Sequence, residues 1–72
     1  MNLVGPQVRH VREAQNMTQE ELTARCNLVG LNISRSTLAK IESRVRQVTD
    51  EEAALLAKAL KIAIDALYRQ KG

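Results

Sequence analysis

The sequence predicts a small all-α protein, and three observations support this class. Apolar residues recur only at helical spacing, and no segment alternates apolar and polar residues as a half-buried strand does. Residues 18–21 and 49–52, Thr-Gln-Glu-Glu and Thr-Asp-Glu-Glu, match the capping box that opens many helices. A chain of 72 residues has enough apolar side chains for only one small core. We therefore expect a compact arrangement of five helices in a single domain, residues 1–72.

The first two helices are placed by turn-favouring residues and by apolar spacing. Pro6 suits the first turn of a helix, and the valines at positions 4, 8 and 11 lie on one face of that helix. The second helix begins after the cap at Thr18 and runs roughly to Cys26, with Gly30 as a breaker beyond it.

The third helix, over about residues 34–44, is expected to have one polar and basic face. Ser34 is a suitable N-cap, and Leu38, Ile41 and Val45 form the inward stripe. At 100° per residue, the opposite face and its flanks carry only small, hydroxylated or basic side chains: Arg35, Ser36, Ala39, Lys40, Ser43 and Arg44. Such a face fits the major groove of duplex DNA, and it fits an ordinary solvated helix surface equally well.

The fourth and fifth helices follow from composition. Residues 50–60 are rich in alanine and leucine and come directly after the second capping box, so they predict a helix through Leu60. Ile62, Ile64 and Leu67 then suggest a short fifth helix that ends near Tyr68.

Positive charge is concentrated in the same segment as the third helix. The chain has a net charge of +3. Residues 33–48 carry four basic residues against one glutamate, a net charge of +3, and this excess points to a polyanionic partner. Tyr68 is the only aromatic residue, which argues against single-stranded nucleic acid because bases need aromatic stacking platforms.

Other functional classes lack support in the sequence. His10 and Cys26 are the only histidine and cysteine, too few for a zinc site, and Cys26 is better explained as a small core residue. We therefore expect no metal, no cofactor and no enzymatic activity, since no nucleophile–base constellation is present. No apolar run approaches the ~18–20 residues of a membrane span. The lone cysteine and the absence of a secretory signal predict a cytoplasmic protein.

Two motifs in the correct order resemble a known family. Residues 17–22 (Met-Thr-Gln-Glu-Glu-Leu) and 33–42 (Ile-Ser-Arg-Ser-Thr-Leu-Ala-Lys-Ile-Glu) are similar to the lambda-repressor-like helix-turn-helix regulators, the Cro/repressor or xenobiotic-response-element type. The resemblance covers about residues 4–68 and leaves a short basic tail at 69–72. It implies a five-helix domain whose second and third helices form the DNA-reading unit.

The resemblance also implies roles for individual residues. The residues implied to read base edges are Arg35, Ser36 and Lys40, with Gln19 on an outer base or the backbone. The residues implied to contact the DNA backbone are Thr18, Ser34, Thr37, Ser43, Arg44, Arg46 and Gln47. Arg12 and Glu42 occupy the positions of a pair that orients the first helix on the third; we expect this pair to be at least half buried, the alternative being an exposed pair worth ~0–1 kcal/mol.

The chain departs from the family pattern at two places. The connection from Cys26 to Ser34 holds roughly five extra residues, 28–32, so the turn is extended: either the second helix is longer or the turn bulges with its leucines against the core. Lys61 stands where relatives often have a left-handed glycine, and Ala63 replaces a capping hydroxyl, so we expect a less well-defined link into the fifth helix.

These observations predict a sequence-specific regulator of transcription that binds double-stranded DNA as a homodimer on a two-fold operator. The candidate dimer residues are Ile64, Leu67 and Tyr68, with Leu28 and Leu31 of the insert as the second choice. The alternative is a protein-interaction module or antitoxin that uses the same helical fold to bind an unknown protein partner, and the apolar insert favours that alternative.

Overall fold

Five α-helices make up the fold, and no β-strand occurs in the part of the chain that the structure, a computed structural model, describes, residues 4–68. The helices are α1 (Val4–Ala14), α2 (Gln19–Leu28), α3 (Arg35–Glu42), α4 (Asp50–Leu60) and α5 (Asp65–Tyr68). The predicted all-α, five-helix class is confirmed. The basic tail, 69–72, lies outside the described residues.

Side chains predicted to cap the helices do so. The Thr18 hydroxyl accepts a hydrogen bond from the Glu21 backbone N–H at 3.1 Å, and the Glu21 carboxylate accepts one from the Thr18 N–H at 2.8 Å. The same reciprocal pair opens α4 between Thr49 and Glu52, at 3.1 and 3.0 Å. Ser34 caps α3 by accepting a hydrogen bond from the Thr37 N–H at 3.1 Å. These bonds satisfy backbone donors that would otherwise lack partners, and so define where each helix begins.

A shared device ends the first four helices. After each one, a residue with positive φ turns the chain, and the next residue donates its N–H to a carbonyl five positions earlier, the Schellman arrangement. The four turning residues are Asn16 (φ 55°), Gly30 (φ 98°), Arg44 (φ 69°) and Lys61 (φ 58°). Two of them, Arg44 and Lys61, have a Cβ and long side chain in a conformation that costs such residues about 1–2 kcal/mol.

The Schellman turn after α3 makes one sequence expectation wrong. The helix stops at Glu42 instead of continuing to about 44, and Arg44 reverses the chain direction. Val45 therefore leaves the inward stripe: its N–H caps the Lys40 carbonyl at 2.9 Å and its side chain is 74% exposed. Val48 fills the core instead.

Residues 28–32 are arranged in a way that combines both predicted alternatives. α2 continues two residues beyond Cys26 to Leu28, whose side chain is 86% exposed. Gly30 then turns the chain, and Leu31 returns to the core with 7% exposure. The turn is thus extended, and one of its leucines is tucked in while the other faces solvent.

The core joins α1 to α3, α4 and α5, and α2 to α3 and α4. Its fully buried large side chains come from all five helices and include Val8, Leu22, Leu38, Leu56 and Leu67. Two glutamines, Gln7 within α1 and Gln15 directly after its end, attach the C-terminal part: Gln15 donates to the Leu60 carbonyl at 2.9 Å and Gln7 to the Ala66 carbonyl at 3.2 Å. These two polar contacts hold the α4–α5 connection against α1, and the sequence pattern did not indicate them.

Replacing Lys61 with glycine is expected to raise the free energy of unfolding by about 0.5–1 kcal/mol. Glycine adopts positive φ without a Cβ penalty, and this gain exceeds the extra entropy that it adds to the unfolded chain. The matched control is Lys58→Gly, at an exposed position inside α4, which should lose about 1 kcal/mol. Thermal or urea unfolding measures both; a loss for Lys61→Gly as large as that for Lys58→Gly would contradict the prediction.

Candidate nucleic-acid interface

The outward face of α3 is open to solvent. Arg35, Ser36 and Lys40 are exposed, as are Ser43 and Arg44 beyond the helix end. The Ser36 side chain is short, so it would not prevent a binding partner from approaching α3 closely. The face predicted for α3 is therefore present as a continuous polar and basic surface.

The N-terminal ends of α2 and α3 lie side by side. The Arg35 guanidinium donates to Gln19 Oε1 at 3.1 Å and lies 3.7 Å from a carboxylate oxygen of Glu20. Gln19 in turn donates from Nε2 to Glu42 Oε1 at 3.0 Å. Because a carboxylate only accepts hydrogen bonds, the Gln19 amide presents its oxygen to Arg35. Gln19 and Arg35 thus belong to one surface.

Beneath that surface, Arg12 and Glu42 form a buried ion pair. The guanidinium Nε and Nη2 of Arg12 donate to the two carboxylate oxygens of Glu42, at 2.8 and 3.1 Å. The remaining nitrogen, Nη1, donates to the Met17 carbonyl at 2.7 Å. Arg12 is 8% exposed and Glu42 5%, so the exposed-pair alternative is wrong. The pair joins α1 to the end of α3.

The same pair has a clear electrostatic signature. The hydrogen bond with Glu42 raises the pKa of the Arg12 guanidinium above its ordinary value, against the opposing effect of burial. Within residues 4–68, no buried side-chain nitrogen or oxygen lacks a hydrogen-bond partner. Arg12 and Glu42 are therefore satisfied by each other and by Gln19 and Met17, as buried charges must be.

Arg46 is paired within the protein, unlike a cation that is free to contact the DNA backbone. Its guanidinium makes two hydrogen bonds to the Glu52 carboxylate, at 3.2 and 2.5 Å. This pairing raises the pKa of Arg46 and lowers the pKa of Glu52. Glu52 also closes the cap of α4, so Arg46 ties the loop after α3 to the start of α4. Gln47, its neighbour, is exposed.

The hydroxyl residues of the predicted backbone set serve first as helix caps. Thr18 and Ser34 cap α2 and α3, and Ser34 Oγ lies 3.1 Å from Thr37 Oγ1. The first turn of α3 has no acidic residue, whereas that of α2 contains Glu20 and Glu21. Of these two helices, α3 is therefore the one whose positive dipole end has no carboxylate in its own first turn.

The candidate dimer residues separate into two groups. Leu67 is 1% exposed and Leu31 is 7% exposed, so both belong to the core and were wrongly placed at an interface. Ile64, Tyr68 and Leu28 remain exposed, and the Tyr68 hydroxyl donates to Asp50 Oδ1 at 3.0 Å. That hydrogen bond raises the pKa of the Tyr68 phenol.

Other kinds of site find little support. Burial raises the pKa of the Cys26 thiol to about 11, so the thiol stays protonated near neutral pH. Among residues 4–68 there is no group of three or more metal-ligating side chains. No helix of that region is long and apolar enough to cross a membrane.

Comparison with known proteins supports a family assignment. A protein-family model described as helix-turn-helix matches residues 8–67, which is most of the chain. Searches of curated proteins and of solved structures gave no match. Members of the matched family are DNA-binding regulators and are generally non-enzymatic. With five helices in this order and α2 and α3 adjoining at their N-terminal ends, the chain belongs to the Cro/C1-type helix-turn-helix family.

Proposed function

We propose that this protein is a sequence-specific transcription regulator that places α3 in the major groove of double-stranded DNA and acts as a homodimer on a two-fold operator. The observation that carries the proposal is the exposed face of α3, supported from below by the buried Arg12–Glu42 pair. Recognition needs such a rigid base, because side chains must be held to within a fraction of an ångström.

Dimensions and chemistry agree with this placement. An α-helix with its side chains is about 10–12 Å across, and the major groove, about 12 Å wide, admits it; the eight residues of α3 extend about 12 Å along their axis. Arg35 at the start of α3 can present its guanidinium to the O6 and N7 atoms of guanine, and Ser36 and Lys40 follow on the same face. Gln19, hydrogen-bonded to Arg35, completes the base-reading set.

Phosphate contacts would surround this centre. The N-terminus of α3 offers free N–H groups and a positive dipole end, which favour a phosphate close to Ser34 and Thr37. Arg44 is exposed and makes no ion pair among the described residues, so it is the cation best placed for the backbone beyond α3. Thr18, Ser43 and Gln47 are exposed and belong to the same set of proposed DNA-backbone contacts. Arg46 contributes indirectly, because its pairing with Glu52 holds the loop after α3 in place.

The dimer is proposed because one short helix reads only a few base pairs. Two subunits related by a two-fold axis would read two half-sites about 34–36 Å apart. Ile64 and Tyr68 supply the exposed apolar groups for the contact between subunits. Such a contact is small, so self-association should be weak in solution and stronger on adjacent half-sites.

Selection from a random pool of duplex DNA tests the proposal. We expect the selected sequences to contain an inverted repeat with half-sites one helical turn apart, and sedimentation to show two subunits per site. When log K is plotted against the logarithm of the salt concentration, the slope should be about −3 to −4 per subunit. Arg35→Ala should cost about 1–3 kcal/mol on the selected site and relax one base position. The control, Arg44→Ala, should weaken selected and unrelated duplexes about equally, because a phosphate contact does not read sequence.

Three results would count against this function. Absence of binding to duplex DNA at low salt would remove the DNA-binding role altogether. Equal, sequence-independent losses for Arg35→Ala and Arg44→Ala would show that Arg35 does not read bases. A complex with one subunit per selected site, unchanged by Tyr68→Ala, would remove the dimer.

A further inference from the structure

A groove lies where the C-terminal ends of α2 and α4 meet. It has a volume of about 280 Å³ and is lined by Arg25, Leu28, Val29, Lys58, Ala59 and Lys61. Pockets for organic ligands usually enclose about 300–1,000 Å³ and bury most of the ligand. This open groove is at the lower limit of that range, which suits one or two side chains of a polypeptide better than a cofactor.

The lining of the groove combines positive charge with apolar side chains. Arg25, Lys58 and Lys61 are exposed, and within residues 4–68 none of the three makes an ion pair. No carboxylate is among the lining residues. Leu28 is 86% exposed, the most exposed large apolar side chain of the described chain. Three unpaired cations and an exposed leucine on one groove are the combination that an acidic ligand with an apolar side chain would match.

The groove faces away from the proposed DNA surface. Leu28 is nine residues after Gln19, and at 100° per residue the two side chains leave opposite sides of α2. Gln19 is also at the other end of the helix, about 13 Å away along its axis. An occupant of the groove would therefore leave Gln19, Arg35 and the face of α3 free.

We propose that this groove docks a short acidic segment of a different protein, which places one large apolar side chain against Leu28 and Val29. The three cations fit carboxylates on either side of that apolar residue. A nucleic-acid backbone would pair with the cations and leave Leu28 without a function. A second copy is disfavoured for two reasons. A two-fold contact through this groove would bring the same three cations of both subunits together, and a contact with the surface at Asp50 and Tyr68 would be head-to-tail, unlike a two-fold dimer.

Fluorescence anisotropy with the full chain tests this docking site without DNA. The probe is a labelled peptide of Asp and Glu residues with Leu and Phe, compared with the same peptide in which Ser replaces Leu and Phe. We expect binding of the apolar peptide to fall about tenfold or more in Leu28→Ser and in Lys58→Glu. Val45→Ser is the matched control, because Val45 is 74% exposed but outside the groove, and it should leave the affinity unchanged.

Nuclear magnetic resonance on the same samples locates the peptide, with shifts expected at residues 25–29 and 58–61. Equal binding of the two peptides, or equal binding to wild type and Leu28→Ser, would overturn the proposal. So would displacement of the peptide by duplex DNA of unrelated sequence, or concentration-dependent self-association that Leu28→Ser abolishes. DNA binding by the same samples is measured separately, so the two proposals can fail independently.

Discussion

Replacing Glu42 with glutamine is expected to lower the free energy of unfolding by about 3–5 kcal/mol. The change leaves the Arg12 guanidinium buried without its counter-charge, in a place where Arg12 is 8% exposed. A 72-residue domain has about 4–10 kcal/mol of stability in total, so this variant should be close to unfolding at ambient temperature. Chemical denaturation, followed by circular dichroism, measures the loss.

A double-mutant cycle separates this coupling from general damage to the core. Arg12→Met with Glu42→Leu removes both charges, so the double variant should be more stable than either single variant, even if the singles unfold. Arg9 and Glu13 provide the control, since they form an ion pair of the same residue types at 3.3 Å with both side chains more than half exposed. Their coupling should be about 0.3–0.5 kcal/mol. Coupling at Arg12–Glu42 no larger than this control would contradict the buried-pair assignment.

Replacing Gly5 with alanine is expected to destabilise the protein by about 2 kcal/mol or more. Gly5 is the second residue of α1, where alanine is a better helix former than glycine by up to about 1 kcal/mol. A Cβ at this position would lie 1.9 Å from the carbonyl oxygen of Ile41, which is backbone and cannot rotate away. The helices would have to separate, with losses of the size seen for overpacked cores.

Helix propensity and packing predict stability changes of opposite sign for Gly5→Ala, so the sign of the measured change tests the prediction. Intrinsic helix propensity alone predicts a stability gain for Gly5→Ala, and the packing of α1 on α3 predicts a loss. His10→Ala, at an exposed position of the same helix, should change stability by no more than about 0.5 kcal/mol. A measured gain for Gly5→Ala in thermal unfolding would show that α1 and α3 are less closely packed than the structure has them.

Local signals in the sequence were sufficient for the helices. Both capping boxes and the Ser34 cap appear where the residues predict them, because each involves atoms only three residues apart. The end of α3 was harder to predict, since it depends on Arg44 adopting positive φ, a conformation that arginine does not favour by itself. The exposure of Val45 follows from that single turn.

The resemblance to a family, and not the pattern of the residues alone, placed the candidate site. It selected Arg12 and Glu42, which are thirty positions apart and carry no local signal of contact. The DNA roles of Gln19, Arg35, Ser36 and Lys40 stay predictions until DNA binding is measured. Arg46 shows the limit of inference by position, because its contact with Glu52 depends on how the loop after α3 folds back.

The sequence by itself determined the helical class, the starts of three helices and the basic, small-residue face of α3. These features depend on backbone hydrogen bonds and side-chain periodicity within a few residues. Only the tertiary structure decided which leucines are core and which are surface: Leu31 and Leu67 are buried, while Leu28 is exposed. Burial depends on which helices pack together, and contacts between distant segments are not encoded at any fixed spacing along the chain.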